Sequence, residues 1–121
     1  MALALAATSA GITPASAQAN ADRRPYDQRL MRLAEILGAT HYLRELCGAN
    51  DEQLWRQHMQ ALIKTEGSTA LRRAELTRNF NRGYRNYQRT YSNCTPSAKT
   101  AIQRFMDRGA AISHDLATTV R

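Results

Sequence analysis

Lysine is nearly missing from this chain. Of its seventeen basic residues only Lys64 and Lys99 are Lys, and the rest are Arg. Ten acidic residues leave a net charge of +7 over 121 residues. Arg carries a planar fork of donors that suits carboxylate and phosphate groups better than the point charge of Lys. No apolar run reaches the roughly 18 residues that a membrane-spanning helix requires. Gly and Pro number six and three, which excludes collagen-like and Pro/Gly-rich low-complexity chains. No segment shows the period-two alternation of a half-buried strand. Helix-turn-helix, RNP and zinc-finger signatures are also missing, so nucleic acid is an unlikely partner.

Residues 1–21 lack Asp, Glu, Lys and Arg altogether. Residues 1–19 are small and apolar, with A-x-A sites at Ala15-Ser16-Ala17 and Ala17-Gln18-Ala19. That is the small-residue rule of a signal-peptide cleavage region, although no basic n-region precedes it. The expectation is export to the periplasm with cleavage after Ala19. The mature part, residues 20–121, is then one domain with room for one core.

Four helical segments fill that domain, at about 26–46, 51–66, 68–91 and 96–118. Pro25 precedes the first, where its missing N–H costs little. Leu30, Leu33, Ala34, Leu37 and His41 mark its apolar face, and Gly48 stands where a helix commonly ends. Asn50 or Asp51 is the expected cap of the second helix, with Leu54, Trp55, His58, Met59, Leu62 and Ile63 as its stripe. Ser68 is the expected cap of the third. Thr95-Pro96 opens the fourth, whose seam is Ala98, Ile102, Phe105, Gly109, Ile112 and Leu116. Short loops make consecutive helices antiparallel, which predicts an all-α, antiparallel four-helix bundle.

Cysteine is limited to Cys47 and Cys94. Their spacing is unlike the close C-x-x-C pair of thiol oxidoreductases, and two widely spaced cysteines in an exported chain read as a structural disulfide. Cys47 closes helix one and Cys94 follows helix three, which the bundle topology brings to the same pole. If those two helices stand diagonally, the loops at Gly48 and Asn93 must fold inward for the bond to form.

The third helix is the most strongly divided. Leu76, Phe80, Tyr84, Tyr87 and Tyr91 fall within about 80° of arc, and Arg78, Arg82, Arg85 and Arg89 fall within about 60° on the opposite side. The four guanidinium groups are the candidate anion- or partner-binding surface. Gly83, inside this helix, points to close approach of a neighbour such as Trp55. A buried Arg73–Glu66 pair is expected across the turn between the second and third helices, costly unless well hydrogen-bonded. His58, Asn81, Tyr84 and Tyr87 are candidates for a ligand pocket. The histidines His41, His58 and His114 show no metal-ligand spacing, and no metal or cofactor is expected. Ser113-His114-Asp115 holds the residue types of a hydrolase triad, but neighbours on a helix point apart.

The combination Leu43-Arg44-Glu45-Leu46-Cys47-Gly48, Trp55-Arg56, Phe80-Asn81-Arg82-Gly83-Tyr84 and Cys94-Thr95-Pro96 resembles a family of small uncharacterised exported proteins of alphaproteobacteria. The resemblance spans about residues 28–118. It implies an envelope location and a helical, two-cysteine pattern, and it implies no activity and no catalytic residue. The expected function is non-enzymatic binding of an anionic envelope component: lipid headgroups, lipopolysaccharide, an acidic glycan or an acidic protein. A small ligand carrier or enzyme, and an accessory subunit of an envelope complex, are the competing expectations.

Overall fold

The computed structural model describes residues 2–7, 11 and 22–119. The signal-like segment 1–19 falls mostly outside the described residues; residues 2–7 belong to no helix or strand, with Leu3 and Leu5 exposed. Four helices follow among the described residues: α1 (Asp27–Leu46), α2 (Leu54–Glu66), α3 (Ala70–Thr90) and α4 (Pro96–Thr119). No strand occurs among the described residues.

The ends of these helices follow from local chemistry. α1 stops in a Schellman motif: Gly48 sits at φ 76°, its N–H donates to the Glu45 carbonyl, and the Ala49 N–H donates to that of Arg44. α3 is capped one residue later than expected, by the Thr69 hydroxyl accepting from the Arg72 N–H. α4 is capped by Thr95, whose hydroxyl accepts from the Ala98 N–H. α2 begins at Leu54 rather than near Asp51, and neither Asn50 nor Asp51 caps it. The Asp51 carboxylate is engaged elsewhere, accepting from Arg44 at 2.7 and 2.8 Å and from the Trp55 indole at 2.8 Å.

α1 is the hub, packed by all three other helices and most extensively by α3. Buried residues occur all round it, from Leu30 through Ile36 and Ala39 to Leu43, and the two apolar clusters of the core both draw on it. A helix with buried residues on most of its faces is enclosed by its neighbours. α1 and α3 run parallel and touch backbone to backbone. A Cβ on Gly83 would overlap the Glu35 carbonyl oxygen, and one on Gly38 would overlap that of Phe80. The neighbour that requires glycine at position 83 is therefore α1, not Trp55.

This crossing places the ends of α1 and α3 together. Cys47 and Cys94 are joined, with Sγ atoms 2.02 Å and Cα atoms 4.9 Å apart. Because α1 and α3 are the closest pair rather than diagonal, no inward excursion of the loops is needed. The Tyr42 hydroxyl donates to the Tyr91 carbonyl just beneath the bond. At the opposite pole the buried cation is Arg72, not Arg73. Arg72 chelates Asp27 and lies 3.6 Å from Glu66, whereas the Arg73 guanidinium is bonded to the Gly67 carbonyl at the surface.

Candidate functional site

α3 is fixed from behind by its glycine crossing, so its outer face is a rigid platform. Arg78, Arg82, Arg85 and Arg89 all project from that face and are all exposed. Among the described residues none of them lies within ion-pair distance of a carboxylate. The stripe covers 11 residues, or about 16 Å of helix. Unpaired like charges at this spacing repel one another, and an external polyanion relieves that repulsion.

Two shallow depressions extend the basic surface beyond α3. One, of about 850 Å³, lies where the start of α1 meets α3; Arg78 and Arg82 form one wall and Arg23, Arg24 and Arg32 the other. The second, of about 770 Å³, separates α3 from α4 and includes Tyr87, Tyr91, Arg104 and Arg108. Arg32 belongs to both. It pairs with Glu35 at 2.9 Å, and its guanidinium carbon lies 5.9 Å from the centre of the Phe105 ring. Together the depressions present seven arginines against four carboxylates, Asp27, Glu35, Glu75 and Asp107. Asp27 is already taken by Arg72. Sequence periodicity locates the α3 stripe but not its extension, because Arg23, Arg32, Arg104 and Arg108 come from other elements.

The four candidate pocket residues lie in different places. His58 stands beside Trp55 in a groove between α2 and α4. Asn81 is exposed on α3. Tyr84 packs its ring on His41 and Tyr42 and donates to Glu45 at 3.4 Å. Tyr87 meets Phe105 edge-on and lines the α3–α4 depression. Ser113, His114 and Asp115 are exposed on α4. Among the described residues no group of three or more His, Cys, Asp or Glu is placed to hold a metal.

His41, read from the sequence as part of the apolar face of the first helix, is a buried polar centre. It is 2% exposed, its Nε2 accepts from the Arg56 Nε at 3.3 Å, and Glu45 lies 3.7 Å away. Its Nδ1 has no partner among the described residues. Burial holds its pKa below the usual 6.5, with Glu45 opposing and Arg56 assisting. A folded-state pKa below the unfolded one means that the unfolded chain binds the extra proton. The His41 contribution is thus complete above pH 6.5 and is lost as pH falls below that value. Asp51 acts lower on the scale: the hydrogen bonds from Arg44 and Trp55 bring its pKa from 3.8 to about 2. Its contribution is complete above the unfolded pKa and disappears as pH falls through the folded one. Urea unfolding at about pH 7, 5 and 3 should therefore give successively smaller free energies. A profile with no fall between the first two would contradict the His41 assignment.

The fold and surface define an all-α, disulfide-closed protein with one strongly basic side. Residues 25–119 match the family described as Protein of unknown function (DUF2385), and the chain belongs to that family. No curated protein and no solved structure matches it.

Proposed function

We propose that this is an exported, periplasmic protein that acts by binding, and that α3 is the surface it presents to an anionic component of the envelope. One observation carries the reading: Arg78, Arg82, Arg85 and Arg89 are exposed in a row on a rigid helix, with no carboxylate to neutralise them among the described residues. Arg forks bond phosphate and carboxylate oxygens in pairs, so phosphate-bearing lipid headgroups, including those of lipopolysaccharide, fit best. An acidic glycan or an acidic protein face would meet the same donors. No helix among the described residues is long and apolar enough to cross a membrane. Contact with a bilayer would then be made at the headgroups, where each Arg near an anionic surface contributes about 1 kcal/mol.

The test is co-sedimentation with vesicles containing phosphatidylglycerol, against vesicles of phosphatidylcholine alone. Binding should be confined to the anionic vesicles and fall steeply with salt, because screening shortens the reach of exposed charges. The variant R78E/R82E/R85E/R89E should lose it entirely. Equal binding by that variant, or none by the parent, removes the proposal. Sequencing the N-terminus of native material tests the export step; a chain still carrying residues 1–19 contradicts it.

A further inference from the structure

α2 has a strong apolar stripe, yet Met59 is its one fully buried residue. Trp55, His58 and Leu62 instead look into an open groove. α1 forms its floor and α4 its far wall, and α2 and α4 do not pack on each other to any extent. The groove has a volume of about 710 Å³, within the range of ligand sites, roughly 300–1,000 Å³.

Its chemistry is the reverse of the rest of the surface. The chain carries fifteen Arg and two Lys, and among the described residues none of them lines this groove. Leu30, Leu33, Ile36 and Leu37 make the floor. The polar groups stand mainly towards its ends, Tyr26 and Glu66 at one and His58 towards the other. Glu66 is already occupied, accepting from the Tyr26 hydroxyl at 2.8 Å and lying 3.6 Å from Arg72. Among the described residues the lining offers no Arg or Lys to an anionic head group. The walls are low, because Ala61, Ala110 and Ala117 project so little.

The floor runs from Tyr26 to Thr40, about 21 Å of helix. A single extended hydrocarbon chain fits that length and the lack of basic residues in the lining.

We propose that the α2–α4 groove binds one linear acyl tail of an amphiphile whose head group remains outside. This site is distinct from the arginine face and does not depend on it. Trp55 is the sole tryptophan of the chain and lines the groove, so its fluorescence reports occupancy directly. A brominated monoacylglycerol, added below its micelle concentration, should quench Trp55 saturably. Affinity should rise roughly fourfold per methylene until the tail outgrows the floor. Ala61→Phe and Ala110→Phe fill the groove and should each weaken binding roughly tenfold. Ala111→Phe, exposed on α4 and lining the α3–α4 depression instead, should leave binding unchanged. Ala117→Phe provides a further groove variant should one of the first two misfold, with circular dichroism as the control. The variant R78Q/R82Q/R85Q/R89Q should be quenched like the parent, which separates this site from vesicle binding. Absent or non-saturable quenching, or equal affinity in the filled variants, overturns the proposal.

Discussion

Arg72→Ala should lower the free energy of unfolding by about 3–4 kcal/mol, as removing one partner of a buried ion pair does. Arg72 is 2% exposed and satisfies nearly all of its donors. Nη1 and Nη2 grip the two Asp27 oxygens at 2.8 and 3.0 Å, Nε donates to the Glu66 carbonyl at 2.8 Å, and Nη1 also reaches the Asp22 carbonyl at 3.1 Å. One guanidinium thus ties the entry to α1, the end of α2 and the first turn of α3. Ala would leave Asp27 and Glu66, 15% and 12% exposed, without their cation. Arg72→Lys should recover only part of the loss, because an ammonium cannot form the fork.

The acid profile tests the same pair. Burial raises the Asp27 pKa, but the hydrogen bonds from Arg72 and from the Arg24 N–H outweigh it, so the net value lies below 3.8. That contribution is present above the unfolded pKa and lost as pH falls through the folded one, and it should vanish from Arg72→Ala. Urea unfolding of both proteins near neutral and near pH 3 measures it. A loss under about 1 kcal/mol would mean that the pair is no better than a surface contact.

Reducing the Cys47–Cys94 bond should cost a similar amount. The two cysteines are 47 residues apart, and closing a loop of that length removes about 4 kcal/mol of entropy from the unfolded chain. The melting temperature should fall roughly 15–30 °C in reductant or in C47S/C94S. The fold itself should survive, because the mid-helix glycine crossing and the Tyr42–Tyr91 hydrogen bond still join α1 to α3 without it. A mass rise of about 2 Da on reduction of the monomer checks that the bond is internal. Identical melting with and without reductant would contradict the estimate.

How far the sequence could be read depended on what each signal encodes. Two cysteines allow one internal pairing, so the disulfide was legible. The arginine stripe was legible because helical period alone decides which residues share a face. Period does not say which helix comes near. Gly83 signalled close approach, but its partner surface is built by Gly38 on α1, and Trp55 was the wrong neighbour. The choice of Arg73 over Arg72 shows the sensitivity of such readings. One residue is 100° of rotation on a helix, enough to exchange a buried fork for a surface one. In α1 the stripe through Leu30 and Leu37 omitted Ile36, Ala39 and Leu43. Their presence on the other sides was the available signal that this helix is central. The groove was illegible, since an apolar stripe looks the same whether a neighbour covers it or not.

The parallel α1–α3 contact also imposes an order in time. Gly38 and Gly83 are 45 residues apart, with all of α2 between them. At ~5–20 residues per second a ribosome needs roughly 2–9 seconds to deliver the second glycine after the first. Throughout that interval α1 has no partner for its largest interface. The hub that organises the finished molecule is therefore its most vulnerable segment while the chain is being made, and any factor that shields nascent chains should be found on α1 first.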